Sequence, residues 1–216
     1  MSKLHTPNQI QDFLDAELSW RVKEIANLKT AVQESGPIPE KTLIRAGLAL
    51  LYAHWEGFVK NSMTAYLNFV NCQGLKYEEL RSCFVVFGLK KSVNQIVESR
   101  SSAVSISAID FLREQLGERA QLKIDTAINT ESNLSSKVFQ NILLSVGFDP
   151  AAYETRSHLI DESLLKRRNS IAHGDYLDVG KVDWRHLADE IISMMRQVKT
   201  EIENSVALAS YKHIAV

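Results

Sequence analysis

The stretch Arg168-Asn169-Ser170-Ile171-Ala172-His173 places a permanent cation and a titratable imidazole near the end of one predicted helix, directly after Lys166 and Arg167. Arginine stays charged at physiological pH and can hold a phosphate with two N–H donors at once. Histidine gives and takes a proton near neutral pH. An anion-binding group and a proton-transfer group on one element suit RNA cleavage by 2′-hydroxyl attack, which needs no metal ion.

On a straight α-helix, Arg168 and His173 point to different sides. Their separation corresponds to about 7.5 Å of rise and about 140° of rotation. Either the last turn unwinds at Gly174, or a symmetric partner supplies the second set of residues. Steps of four, three and four place a polar stripe on the side of the helix that carries the histidine: Glu162, Lys166, Asn169 and His173.

Helical periodicity predicts two long helices in the first third of the chain. Apolar residues at three- and four-residue steps predict a first helix from about Asn8 to Glu34. The Gly- and Pro-containing segment 35–39 ends it. A second helix, from Pro39 to about Cys72, is apolar on several sides, which indicates the central packing element.

The remaining signals are shorter. Three helical pieces are predicted in the middle of the chain, at Tyr77–Phe87, Lys91–Glu98 and Ser107–Leu116, with a loop at 99–102. A short strand stays open near residues 119–129, because Leu122, Ile124 and Ile128 alternate with polar residues. The other predictions are a helix capped by Ser135 and ended by Gly147, a turn beginning at Asp149-Pro150, a motif helix from about Arg156 to His173, and a final helix capped by Asp183 and reaching past Val206.

These elements predict an all-α fold: one domain over residues 1–216, with core helices at about 8–72 and 135–210 and an insertion-like segment at about 75–130. The net charge is −1, so nucleic-acid binding would depend on a local basic patch. The two cysteines and four of the histidines (His5, His158, His186 and His213) lack metal-ligand spacing, so we expect no metal and no other cofactor. A secretory or membrane-spanning segment is not apparent, and we expect a cytoplasmic protein that does not bind membranes.

Three segments together resemble a known family. They are Leu51–Lys60, Ser132–Phe139, and the motif region from Ile160-Asp161-Glu162 through Arg167-Arg168-Asn169-Ser170-Ile171-Ala172-His173-Gly174. In this order they are similar to the HEPN superfamily, whose motif is Arg-x(4–6)-His, and more closely to the MAE_28990/MAE_18760-like HEPN family. The similarity spans roughly residues 40 to 200. It implies a HEPN-like helical bundle.

The resemblance also implies roles. Arg168 would hold and polarise the scissile phosphate, His173 would act as general base or acid, and Asn169 would fix the imidazole or bond a phosphate oxygen. Two motif helices would meet across a two-fold axis of a homodimer. The implied function is a metal-independent endoribonuclease that acts as a toxin or defence effector, with RNA as substrate and a cognate antitoxin or neighbouring-gene product as partner.

Other interpretations remain open. The alternative function is a non-catalytic module that binds RNA or protein, and a third is an antitoxin-like or adaptor component. An arginine and a histidine near a helix C-terminus also suit the helix dipole. Further candidates for substrate binding are Lys166, Arg167, Glu162, His54 and Tyr176, although a basic run is commonly a solvated face. His54 lies on an apolar helix, as a core histidine would, and Tyr176 also suits loop packing.

Overall fold

The computed structural model describes residues 4–98, 101–124 and 127–213, and within these ranges the chain is helical, without a β-strand. The predicted all-α class is confirmed. The α-helices are α1 (Pro7–Glu34), α2 (Pro37–Cys72), α3 (Ser82–Glu98), α4 (Ser102–Leu116), α5 (Ser136–Ser145), α6 (Arg167–Ala172) and α7 (Lys181–Ala207). The 3₁₀ segments are Tyr77–Glu79 and Pro150–Arg156, and a π-helical segment, Leu159–Lys166, runs directly into α6.

Local signals explain where the first two helices begin. Thr6 and Gln9 form a capping box at the start of α1. The side chain of each residue accepts a hydrogen bond from the backbone N–H of the other. Pro7 occupies the first turn, where a missing N–H costs nothing. α2 starts two residues earlier than predicted, at Pro37, with Gly36 as its N-cap.

α2 is the centre of the bundle, as its apolar sequence predicted. α1, α7 and the motif region pack around it. Trp184 of α7 packs against α2 at Gly47, where an added Cβ would lie 2.8 Å from the indole ring. Glycine at this position therefore makes room for the buried indole. This packing fixes the central helix on which the motif region rests.

The middle of the chain differs from the prediction. The expected pieces Tyr77–Phe87 and Lys91–Glu98 are instead a short 3₁₀ segment followed by the continuous helix α3. α4 begins at Ser102, five residues before the predicted start, and part of the predicted 99–102 loop (residues 99 and 100) lies outside the described residues.

The predicted strand near 119–129 is wrong for the residues described there, while residues 125 and 126 lie outside them. Leu122 and Ile128 are buried in the core, so the alternation reflects burial rather than strand pairing. The Leu122 N–H donates to the side chain of Asn71 on α2, at 2.9 Å, instead of to a neighbouring strand. Near this segment the described backbone forms an isolated bridge between Lys76 and Arg119.

The C-terminal half follows the prediction with two corrections. Ser135 caps α5, and Gly147 has the positive φ of a helix-ending glycine, +80°. Helical structure begins at Pro150, before the predicted Arg156, because the Asp149 side chain accepts the Ala151 N–H at 2.9 Å. The predicted cap of α7, Asp183, lies instead in its first turn, where a carboxylate still suits the helix dipole, and Gly180 is the N-cap.

Within the described ranges, every helix is too short or too polar to cross a bilayer.

Candidate active site

The motif lies on α6, which ends as the sequence predicted. Gly174 has φ +83°, and the Asp175 and Gly174 N–H groups donate to the carbonyls of Ser170 and Ile171, at 2.9 and 3.1 Å. These are the two hydrogen bonds of a Schellman motif. His173 is therefore the C-cap residue, at the point where the helix stops and the chain turns back towards α2.

Arg168 points from α6 into the bundle, towards α2 and the loop that precedes α5. Its guanidinium carbon lies 4.0 Å from the centre of the Tyr52 ring, within range of a cation–π contact. Its Nη2 donates to the Ser132 carbonyl at 3.1 Å and to the Asn133 side-chain oxygen at 3.0 Å. Its Nε is buried and makes no hydrogen bond to the described residues. The arginine is thus held in one orientation by an aromatic face and two acceptors.

The loop that supplies these acceptors is a tight turn of unusual backbone conformation. Glu131 and Ser132 both have positive φ, +55° and +58°, and the Asn133 N–H donates to the Thr130 carbonyl at 3.0 Å. Two central residues with positive φ characterise a type I′ turn, which favours glycine and asparagine. For side chains other than glycine each such residue costs about 1 kcal/mol. The turn is therefore maintained by its surroundings, Arg168 among them.

Tyr52 connects α2 to the same loop. Its hydroxyl accepts a hydrogen bond from the Leu134 N–H at 2.7 Å, and its side chain is 3% exposed. Burial raises the pKa of Tyr52, and the Leu134 hydrogen bond and Arg168 oppose that rise. The tyrosine therefore remains neutral, supporting the loop at its hydroxyl and the guanidinium at its ring.

Asp161 fixes the motif region to α5. Its carboxylate accepts the Ser136 backbone N–H at 2.7 Å and the Ser136 hydroxyl at 2.5 Å. Ser136 is the first residue of α5, so the carboxylate lies at the positive end of that helix dipole. Asp161 precedes Arg168 by about two turns. The same helical region therefore binds Ser136 through Asp161, and Ser132 and Asn133 through Arg168.

A cleft of about 580 Å³ opens beside Arg168. Three small residues of α2, Ala49, Ala53 and Gly57, contribute to its lining, and so do Tyr52, Glu56, Lys60, Thr130 and Ser132. Lys60 is exposed and adds a second cation to this region. The cleft is open to solvent and has both a basic and an aromatic component.

His173 and Asn169 lie on the outer part of the same helix end. His173 is exposed and Asn169 is half-buried, and neither side chain hydrogen-bonds to another residue in the described part of the chain. The structure thus brings Asn169 and His173 to the surface while Arg168 points inward, in agreement with the rotation between them on a helix.

The loop after the motif is tied to the beginning of α2. Arg45 donates to the Asp175 carbonyl at 2.6 Å, and Lys41 donates to the Tyr176 hydroxyl at 3.1 Å and lies 3.3 Å from Asp178. Tyr176 is nevertheless 76% exposed, so most of its ring is available to a ligand or partner. These contacts hold the chain that follows His173 against α2.

The other predicted residues are dispersed. Lys166 pairs with Glu162 at 2.6 Å on the exposed face, and Arg167 is half-buried. His54 lies on the opposite side of α2: it is 2% exposed, edge-on to Trp20, with its Nε2 2.9 Å from the Glu24 carboxylate. Burial lowers the pKa of His54, while Glu24 opposes that change.

In the residues described, three or more His, Cys, Asp or Glu side chains never cluster as a metal site would require.

The sequence did not single out four residues that organise the site: Tyr52, Ser132, Asn133 and Asp161. All four lie within the three segments that carry the family resemblance. The weak signal for Tyr52 was an aromatic hydroxyl on an otherwise apolar helix. Asn133 and Ser132 had none, because a contact over 35 or 36 residues leaves no periodic pattern.

The fold and motif define the class of protein. A helical bundle with Arg168 and His173 at the end of one helix is the arrangement expected of a HEPN protein, and the chain matches the RiboL-PSP-HEPN family over residues 16–204. It therefore belongs to that HEPN family. The closer similarity to the MAE_28990/MAE_18760-like HEPN family remains a prediction. None of the curated proteins and none of the solved structures compared with the chain matches it.

Proposed function

We propose that the protein is a metal-independent endoribonuclease that cleaves RNA by attack of a 2′-hydroxyl on the adjacent phosphate. The observation that carries this proposal is the presence on one short helix of an oriented guanidinium, which lines an open cleft, and of an accessible imidazole at the helix end. Arg168 would bind the phosphate, and His173 would move the proton. Asn169, next to Arg168, would orient the imidazole or bond a phosphate oxygen.

The chemistry needs one proton removed and one supplied. A base takes the proton of the 2′-hydroxyl, whose oxygen forms a bond to phosphorus while the bond to the 5′-oxygen breaks. An acid then protonates that leaving oxygen, and the products carry a 2′,3′-cyclic phosphate and a 5′-hydroxyl. Such acid–base assistance contributes about 10²–10⁴-fold. An arginine stabilises the additional negative charge on the phosphorane, where electrostatic effects are largest.

We further propose that the working unit is a two-fold homodimer. Because Arg168 points inward and His173 outward, a second copy would complete the set of groups around one phosphate. Three large apolar side chains at this end of the bundle are available for an interface: Ile38, Tyr176 and Val182, which are 89%, 76% and 81% exposed. Light scattering at micromolar concentration should give about twice the chain mass of 24.4 kDa.

In this proposal Lys166, Arg167 and Tyr176 contribute to RNA binding, and Glu162 moderates the charge of Lys166. His54 is left out, because its ring is buried against α1. The biological role we propose is that of a cytoplasmic toxin or defence effector, controlled by a cognate antitoxin or another neighbouring-gene product.

The test is cleavage of RNA by the purified chain in excess EDTA, with analysis of the product ends. We expect 5′-hydroxyl and 2′,3′-cyclic or 3′-phosphate ends, and a loss of about 10²-fold or more in rate for His173→Ala. The matched control is His158→Ala, because His158 is also exposed and precedes the same helical region. Equal rates for the parent and His173→Ala would refute the assignment.

The alternative is a non-catalytic module that binds RNA or protein. One observation favours it: the Arg168 guanidinium is already committed to contacts within the chain. Labelled RNA, titrated at two salt concentrations in the same samples, separates the two functions. Salt-sensitive binding without cleavage would establish the module and exclude the nuclease.

A further inference from the structure

The Nη2 nitrogen of an arginine side chain is needed for any two-point contact with a phosphate. A guanidinium can grip a phosphate at two points in two ways, through Nε–H with one Nη2 hydrogen, or through one hydrogen from each Nη nitrogen. Both two-point edges require Nη2. In this structure the Nη2 of Arg168 donates to two acceptors, the Ser132 carbonyl and the Asn133 side-chain oxygen. The Nε that completes one of the edges is buried.

We propose that residues 131–133 form a latch that withholds Arg168 from phosphate, and that RNA binding requires the latch to open. This inference rests on the proposed function of Arg168 as the phosphate-binding group. With the latch closed, Arg168 offers a phosphate only its Nη1 hydrogens, at a single point. With the latch open, the charged oxygens of a phosphate replace two neutral acceptors, and charge-assisted hydrogen bonds are the stronger ones.

The latch has the properties that such an exchange needs. Its two central residues, Glu131 and Ser132, hold positive φ without being glycine, so opening relieves backbone strain. Its C-terminal end is anchored independently, since Ser136 remains bound to Asp161. Opening is therefore a local movement of a few residues that leaves α5 in place.

Tyr52 gives the guanidinium a position that does not depend on the latch. The guanidinium carbon lies 4.0 Å from the centre of the Tyr52 ring, and this contact involves neither of the two latch acceptors. Arg168 therefore remains over Tyr52, beside the cleft, while its edge partners are exchanged. A nucleotide that enters the cleft would meet an arginine that is already oriented.

The first experiment measures binding of a short RNA with 2′-O-methyl groups, which cannot be cleaved, to the full chain carrying His173→Ala. Adding Asn133→Ala removes one of the two latch acceptors, and we expect binding to tighten about five- to ten-fold. Adding Arg168→Lys as well should abolish this gain, because an ammonium cannot form the two-point grip. Asn141→Ala is the matched control, since Asn141 is exposed on α5, and it should leave the affinity unchanged.

The second experiment needs no substitution in the latch. Hydrogen exchange of residues 131–133 is compared with and without the same RNA. A latch predicts faster exchange in the complex, notably at the Asn133 amide that donates to Thr130. A loop that merely positions Arg168 would exchange more slowly when RNA is bound.

Three results would overturn the latch: unchanged or weaker binding by the Asn133→Ala chain, undetectable binding of the RNA, or slower hydrogen exchange in the complex. The nuclease proposal fails by a different result, namely parent chain that cleaves no RNA or cleaves it without His173. If Asn133→Ala tightens binding and the parent chain does not cleave RNA, the latch is supported and the protein is an RNA-binding module. Cleavage dependent on His173 without that gain in affinity would refute the latch alone.

Discussion

Replacing Asp161 with alanine should destabilise the protein far more than its partly exposed position suggests. The substitution removes two hydrogen bonds to a carboxylate, from the Ser136 N–H at 2.7 Å and from its hydroxyl at 2.5 Å. Hydrogen bonds to charged groups contribute about 1.5–3 kcal/mol, and a carboxylate at a helix N-terminus adds about 0.3–1 kcal/mol. Because solvent can partly satisfy the freed groups, we expect the free energy of unfolding to fall by about 2–3 kcal/mol.

The assay is urea unfolding at pH 7, followed by circular dichroism. The control is Glu162→Ala, the next residue, whose exposed pair with Lys166 should contribute less than about 1 kcal/mol. In a Ser136→Ala background the loss caused by Asp161→Ala should shrink, since the two residues interact directly. Equal losses for the Asp161 and Glu162 variants, or full additivity with Ser136→Ala, would refute this reasoning.

Three further predictions concern stability. Burial lowers the pKa of His54, so this histidine binds a proton more tightly in the unfolded chain than in the folded protein. The stability advantage of the parent over His54→Gln should therefore be complete above pH 6.5 and shrink as the pH falls to 5. Gly88→Ala should cost about 1–2 kcal/mol in urea unfolding, because the new Cβ would lie 2.1 Å from the buried Tyr77 hydroxyl. Gly174→Ala should cost about 1 kcal/mol in the same assay, since φ is +83° there and no other atom lies within 4 Å.

Matched control variants separate these three expected changes in stability from the nonspecific effects of a substitution. His158→Gln, which replaces an exposed histidine, is the reference variant for the His54→Gln measurements. Gly117→Ala adds a methyl group whose nearest neighbour is 4.0 Å away, at a φ of −78°, so it should be nearly neutral. A pH-independent His54 difference, a neutral Gly88→Ala, or equal losses at Gly174 and Gly117 would each contradict the corresponding explanation.

The long helices were predictable because their signals are local. The ends of α1 follow from a capping pair and from a Gly-Pro stop, and both can be identified within a few residues. α3 was divided wrongly, since its sequence periodicity is weak and the continuous helix depends on packing against α4. The strand near residue 122 failed for a related reason: alternating burial in a loop gives the same pattern as a half-buried strand.

The candidate site was predictable only in part. The helix end and the divergence of Arg168 and His173 follow from short-range geometry. The partners of Arg168 do not, because Tyr52 is 116 positions away and the Ser132 backbone adopts a φ that its residue type disfavours. Such contacts are products of the tertiary fold.

The π-helical segment Leu159–Lys166 has a consequence for how this chain is compared with its relatives. A π turn holds about one residue more than an α turn, so it behaves as a single-residue insertion absorbed without a loop. Everything after Lys166 is thereby rotated by about 100° relative to an uninterrupted α-helix that starts at the Asp161 anchor. In a relative that lacks the wide turn, the residue aligned with Arg167 would occupy the position that Arg168 occupies here. An alignment without a gap between Asp161 and Arg168 would then pair the wrong arginines, and equivalent residues are better assigned by which guanidinium stacks on the tyrosine of α2.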